Sequence, residues 1–492
     1  MIPRFQPLRC LALCVVLFAW NAAAASGEFR GFWVDAFNTR FTTPEEVARI
    51  VADVRAARAN AVLLQVRKRA DAYYASRQEP LARELAGREF DPLAELLAQA
   101  RDTHSGPRLE VHAWMNAYPA WRAADGWPSV TNHPYLAHPD WLNRTARGET
   151  FDGKDYSFDP GHAAVQAHLF TVAMDLVSRY ELDGLHLDYL RYPGRNWGYS
   201  SNAVERFNRR YSRQGQPAPE DPLWSQFRRE QVSALLRKVY LCAMEIRPGI
   251  KLSVATVTWP PAPSTESEWL GRAAAYNDVH QDWRSWMEEG IVDMNIPMIY
   301  VPHDRPEYRA LFGKWTEFAA AHRYNRHVVI GPALFLNAIS NSVAQVRAVR
   351  QVAVKTAIDG VCLYSYATFS SEPESREAFR EALTRRGRRG ELAPVFAEAV
   401  GTPDMPWKSR PVTGHLKGFV HAEQTTNTLD GAAVVIQGPK SHRTVSDATG
   451  FYGAVDLPPG EYTVELAGSA TSKKPVRIEA GKVATVDLSA EK

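Results

Sequence analysis

Eight short apolar runs alternate with stretches of helical periodicity from Phe29 to about Arg385, and this alternation constrains the fold more than any other feature. The strand-like runs are Phe29–Ala36, Ala61–Val66, Leu109–Asn116, Asp183–Tyr189, Lys251–Val257, Val292–Tyr300, His327–Phe335 and Gly360–Phe369. Helical stretches include Pro44–Ala59, Pro92–Thr103, Ala163–Tyr180, Pro222–Ile246, Pro306–His322, Ser342–Ala357 and Glu374–Thr384, with a less clear helix near Asp282–Glu289. Several open with Pro or follow an N-capping Ser, Thr or Asp, as helix starts do. Eight such repeats in one chain predict an α/β fold, a (β/α)8 barrel. A doubly wound open sheet is the alternative, but no Gly-rich phosphate loop follows the first strand.

The long connections, Ala117–His162, Pro193–Asp221 and Thr258–Gln281, all follow strands. In a barrel that is the face on which active sites are built, and loops of this length usually carry function. They hold Trp121, Trp127, Tyr135, Trp141, Trp197, Tyr199, Trp259, Trp269 and Tyr276. Most single rings are expected to pack the loops onto the barrel. The set as a whole predicts a cleft rim with some exposed rings, the kind that stack on sugar faces.

The termini add two more segments. Arg4 and Arg9 precede an apolar run, Cys10–Trp20, too short to span a bilayer, and small residues follow at Asn21–Ala25. Residues 1–25 therefore predict a secretory leader. Its removal leaves a net charge of +1 and only Cys242 and Cys362. That balance gives no general field for nucleic acid or an anionic membrane, no membrane span, and no disulfide framework. Residues 26–385 form the expected barrel domain, and the Pro-rich 386–411 reads as a linker or as packing across the barrel surface. From Val412 short alternating strands take over, with turns at Asp447-Ala-Thr-Gly450 and Pro458-Pro-Gly460. Residues 412–492 thus predict a small all-β sandwich.

Chemistry is best placed at Asp183-Gly-Leu-His-Leu-Asp-Tyr-Leu-Arg-Tyr-Pro193, a short strand ending in the carboxylate of Asp188. Cleavage of a glycosidic bond uses two carboxyl groups, one protonating the leaving oxygen and one acting as base or nucleophile. Asp188 is the first candidate, with Asp35 and Asp304 as partners at other strand ends. Asp71 and Glu372 also follow strands, and the choice among partners stays open at this level. Asp183 begins its strand and is expected to be structural. His112, Trp114 and Asn116 alternate on one strand and share a face. They are candidate substrate-binding groups, together with Arg67, Tyr118, His186, Tyr189, Arg191, Tyr300 and Tyr366. The His and Asp spacings match no metal motif, so neither a metal nor a cofactor is expected. No Gly-x-Ser-x-Gly elbow is present.

These segments together carry a resemblance. Phe29-Arg-Gly-Phe-Trp33, Asn60-Ala-Val-Leu-Leu-Gln-Val-Arg67, Asp71-Ala-Tyr-Tyr74, His112-Ala-Trp-Met-Asn-Ala-Tyr118, Asp159-Pro-Gly161, the strand-four segment and Asp293-Met-Asn-Ile-Pro-Met-Ile-Tyr300 resemble glycosyl-hydrolase-like family 10. Those are exported bacterial barrel proteins, and the resemblance spans roughly Glu28 to Thr384. It implies an exported glycosidase, periplasmic or secreted, acting on a cell-envelope polysaccharide such as peptidoglycan strands lacking stem peptides. The alternative is a glycan-binding protein on a degenerate barrel. Many relatives carry Asp-Asp-Tyr at the end of strand four, where this chain has Asp188-Tyr189-Leu190. A more distant likeness to family-18 chitinases rests on Asp183, Gly184, Asp188, Met298 and Tyr300, but their acid Glu is Leu190 here. The C-terminal segment is similar to prealbumin-like carboxypeptidase regulatory modules through Gly431-Ala-x-Val434, Ser446-Asp-x-x-Gly-x-Tyr452 and Leu457-Pro-Pro-Gly-x-Tyr462. That likeness implies a spacer, or a unit that binds glycan or protein.

Overall fold

Eight parallel strands close on themselves in a computed structural model that describes residues 27–353, 356–385, 393–422, 427–469 and 472–490. They are β1 (Phe29–Val34), β2 (Ala61–Arg67), β3 (Glu110–Asn116), β4 (Gly184–Asp188), β5 (Lys251–Val257), β6 (Met294–Ile299), β7 (His327–Pro332) and β8 (Gly360–Leu363). Each pairs with its sequence neighbours, and β8 closes against β1. The expected leader lies outside the described residues, as does nearly all of the basic run that follows Thr384.

Local chemistry fixes where the helices start. Thr43 accepts from the amide of Glu46, with Pro44 in the first turn. Asp91 caps Pro92–Arg101, and Asp221 caps Pro222–Ile246, each accepting two amides. These caps satisfy donors that the helix itself cannot. β7 and β8 are shorter than the apolar pattern predicts. Beyond them Ala333, Leu334 and Tyr366 remain buried: Ala333 still bridges Tyr364, Leu334–Leu336 forms a single tight turn, and Tyr366 packs onto the first helix. Apolar runs report burial, and here burial continues past the sheet.

Alternate strand residues fill the barrel in layers, as this fold requires. On β3 and β4 the register pairs His112 with Gly184, Trp114 with His186, and Asn116 with Asp188. His112 is thus in the bottom layer, His186 in the middle and Asp188 at the top. Gly184 is dictated by this arrangement, because a Cβ there would lie 2.1 Å from the His112 ring.

The bottom of the barrel is closed by the segment read as a linker. Met405 joins the apolar cluster inside the barrel. Trp407 Nε1 donates to the buried Asp293 carboxylate at 2.7 Å, and Lys408 Nζ pairs with it at 3.0 Å. Trp407→Phe removes one of the donors holding a buried charge and should lower stability by about 1–3 kcal/mol, read as a drop in the urea midpoint. An unchanged midpoint would mean the segment does not bear on the barrel.

Two small sheets follow. One holds β12 (Phe451–Leu457), β9 (Gly414–Ala422), β15 (Val483–Thr485) and β16 (Leu488–Ala490). The other runs β11 (His442–Val445), β10 (Ala433–Gln437), β13 (Gly460–Leu466), β14 (Lys474–Ile478). Leu416, Val434, Tyr452 and Val464 lie between them. Asp447 closes the expected turn by accepting the amides of Thr449 and Phe451. The sandwich is tied to the barrel by Arg206–Asp430 at 2.7 Å, Arg326–Asp456 at 2.6 Å and Lys417–Glu245 at 2.6 Å. Cys242 and Cys362 are both free. No helix among the described residues is long and apolar enough to cross a membrane.

Candidate active site

The C-terminal ends of the barrel strands open into three hollows of about 310, 520 and 300 Å³. The first is floored by Trp33 and Trp114 and walled by Asp188, Trp259, Tyr300 and Tyr364. The second takes in Asn116, Tyr118, Asp155, Tyr189 and Arg191. The third lies against Lys68, Arg69, Asp71 and Arg83. Phe37, Tyr189, Arg191, Trp259 and Tyr364 line both the first and second. Phe37, Asn38, Lys68, Arg69 and Arg122 line both the second and third. The hollows therefore form one cleft across the barrel mouth.

Asp188 stands at its centre. One carboxylate oxygen accepts the Tyr189 amide at 2.6 Å and faces Arg191 Nη1 at 3.4 Å. Burial raises its pKa, and Arg191, the Tyr189 amide and the Trp114 indole oppose that rise without cancelling it. The Trp114 Nε1 is shut off from solvent in the floor of the first hollow. Tyr189 then takes a left-handed conformation, φ +49°, which costs a residue with a side chain on the order of 1–3 kcal/mol. This kink sends the Tyr189 ring, 40% exposed, into the cleft and brings the Arg191 guanidinium back over it at 4.2 Å. Leu190 is fully buried.

A second carboxylate comes from a loop. Asp155 begins a three-residue strand, Asp155–Ser157, that pairs antiparallel with Pro119–Arg122 in the long connection after β3. Burial raises its pKa, while Arg69, with Nε 3.8 Å away, and Lys154 and Arg122 oppose the rise. One of its oxygens is buried without a hydrogen bond. Tyr189 lines the first hollow with Asp188 and the second with Asp155. No sequence motif singles out Asp155. The available signal was position, since the loop carrying it is the longest one on the active-site face.

The expected partners fall elsewhere. Asp35 is buried beneath the cleft, accepting the amides of Phe37 and Asn38 at 3.0 and 2.8 Å and the Asn38 side chain at 3.1 Å. It shapes the turn that presents Phe37 and Asn38 and lines none of the three hollows. Asp304 is exposed beside Arg305, outside the cleft.

Asn116, Trp114, Tyr118, Tyr189, Arg191 and Tyr300 all line the cleft, Tyr300 stacked on Tyr364 with centroids 5.3 Å apart. Four expected binding residues do not. Arg67 is fully buried, gripping Glu79 through Nε and Nη2 at 2.7 and 2.8 Å. His112 sits in the bottom layer, 3.2 Å from Glu110. His186 accepts from Trp33 Nε1 at 2.9 Å and meets Ser253 Oγ at 2.9 Å. Burial holds it well below the usual imidazole range, aided by His112, so it is neutral. Tyr366 turns its hydroxyl outward to Asp53 at 2.7 Å. Asp183, as expected, is structural, accepting the Val111 amide at 2.9 Å. Among loop rings, Trp127 and Trp259 are 75% and 48% exposed, while Trp121, Trp197, Tyr199 and Trp269 are buried packing. Among the described residues no three His, Cys, Asp or Glu side chains are grouped to hold a metal ion.

Comparison with known proteins agrees with this architecture. The family model described as Glycosyl hydrolase-like 10 matches residues 28–331, and that of the carboxypeptidase regulatory-like domain matches 415–491. A protein named glycosyl hydrolase YngK from Bacillus subtilis is 25% identical over 315 residues, covering 59% of this chain and 56% of its own length. Glycosyl hydrolase DigH from Escherichia coli is 27% identical over 282 residues, covering 52% of this chain and 58% of its own. The chain thus matches little more than half the length of these relatives. The glycoside hydrolase domain of PgaB from Bordetella bronchiseptica shares the fold, with TM-score 0.51 and 14% identity over 73% of this chain and all of that one.

Proposed function

The chain belongs to the glycosyl hydrolase-like 10 family, and on that premise we propose that it is an exported glycoside hydrolase acting on peptidoglycan strands that have lost their stem peptides. The observation that carries this reading is the pair Asp188 and Asp155, two carboxyl groups with burial-raised pKa values lining one open cleft beside the same tyrosine. A pair of that kind supplies the proton donor and the base or nucleophile of glycoside cleavage. Trp259, Tyr189, Tyr300 and Tyr364 offer apolar faces for pyranose rings, and Asn116 has an acceptor oxygen with no partner among the described residues.

The pH dependence follows from the two shifts. A carboxyl group raised by burial keeps its proton above the ordinary carboxylate range. The group that must be ionised therefore loses activity as pH falls through its raised value, and the acid loses activity as pH rises through its own. A bell-shaped kcat/KM is expected. Asp155→Asn should lower kcat by about 10²-fold or more and remove one limb. Retention of both limbs would exclude Asp155 from proton transfer.

The function itself is tested by mass spectrometry of fragments released from amidase-stripped and from intact peptidoglycan. Release from stripped strands alone is the expected result. Binding to both without any product would favour a glycan-binding protein.

A further inference from the structure

Three cations around the cleft are held by carboxylates. Arg191 faces Asp188, Arg69 pairs with Asp125 at 3.0 Å, and Lys68 with Glu84 at 3.1 Å. Arg122 is different. It lines both the second and third hollows, at the junction between them. Its Nε is shut off from solvent and has no hydrogen-bond partner among the described residues. Among the described residues no carboxylate forms an ion pair with it. Asp155 lies opposite in the strand register but responds to Arg122 only through its field.

Its neighbour Arg83 spends its donors on the backbone carbonyls of Asp125 and Trp127. The third hollow thus carries two guanidinium groups, Arg83 and Arg122, with no carboxylate in an ion pair to either among the described residues. A buried N–H donor without an acceptor costs free energy in a resting protein, and the planar guanidinium fork matches carboxylate and phosphate groups, of which the proposed glycan carries the carboxylate.

We propose that Arg122 is the specificity-determining residue of the cleft, pairing with a carboxylate carried by a sugar unit next to the one being cleaved. The proposal rests on the glycoside-hydrolase reading and adds a chemical reason for it. A stem peptide converts the lactyl carboxylate of peptidoglycan into a neutral amide, and removing the peptide restores the anion. A neutral glycan, or one with its carboxylates capped, leaves Arg122 unpaired. A polyuronate carries the same chemistry from another source.

The test is equilibrium binding by titration calorimetry with full-length Asp188→Asn protein, so that turnover plays no part. The probes are amidase-stripped glycan strands, the same strands with their carboxyl groups reduced to alcohols, and polygalacturonate. Stripped strands should bind about tenfold more tightly than reduced ones, the scale of one charge-assisted pair. Adding Arg122→Gln should erase the difference, and Arg122→Lys should restore part of it. Equal affinity for stripped and reduced strands overturns the proposal without touching Arg122, so it is decided even where Arg122→Gln does not fold. A difference that survives Arg122→Gln overturns it too. Tighter binding of polygalacturonate, lost with Arg122→Gln, supports the carboxylate site while overturning the peptidoglycan substrate.

Discussion

Asp188→Asn is expected to lower kcat by about 10²- to 10⁴-fold, the range associated with a positioned acid or base, while the protein stays folded. Asn keeps the shape of the side chain and an oxygen to accept the Tyr189 amide. What it loses is the negative charge facing Arg191 and the ability to exchange a proton. The Arg191 guanidinium still has the Tyr189 ring beneath it, so the loop has a second hold. Turnover by stopped assay and unfolding by circular dichroism settle the matter together. A folded variant with wild-type kcat would remove Asp188 from the chemistry. An unfolded variant would make it a structural residue that ties down the turn after β4.

Glu79→Gln should produce the largest loss of stability, about 3–5 kcal/mol, because it leaves the fully buried Arg67 charge without its counter-ion. Glu79 and Arg67 have no exposed side-chain surface, and His168 Nε2 adds a further contact at 2.8 Å. Burial by itself would raise the Glu79 pKa, but Arg67 and His168 outweigh it and hold the value at about 2. A folded pKa below the unfolded one gives stability that is present in full above the unfolded value of 4.5 and lost as pH falls towards 2. The gap between wild type and Glu79→Gln in urea should therefore be widest near neutral pH and narrow below about pH 4.5. A gap that stays constant down to pH 3 would mean the pair does not hold Glu79 ionised. The same change should also weaken activity, since the loop it anchors delivers Lys68, Arg69 and Asp71 to the cleft.

Much of this molecule is legible in its residues. The eight strand positions follow from apolar runs of the right length, and the helix starts from Pro after a capping Asp or Thr. The top of β4 could be found as a place for chemistry because a carboxylate ends an apolar strand on the open face. What the pattern could not do was assign depth. His112, Trp114 and Asn116 share a face, as do Gly184, His186 and Asp188, and alternation treats the members of each set alike. Closure of the barrel separates them into layers, so His112 is sealed at the bottom, His186 is locked between Trp33 and Ser253, and the cleft is met by Asn116 and Asp188 at the top and Trp114 at its floor. Arg67 reads as a cleft residue at a strand end, yet a loop folds Glu79 over it.

The sequence alone determined the periodicities, and with them a barrel followed by a β-sandwich, since strand and helix repeats are local properties of the chain. It also determined that a carboxylate ends the fourth strand. Only the tertiary structure decided which charged groups share a space. Asp155 and Arg122 are separated from Asp188 by tens of residues and reach the cleft because a short strand pair in the loop after β3 folds back over the barrel mouth. Burial, pairing and pKa depend on neighbours brought together by that folding, and a linear pattern carries no record of them.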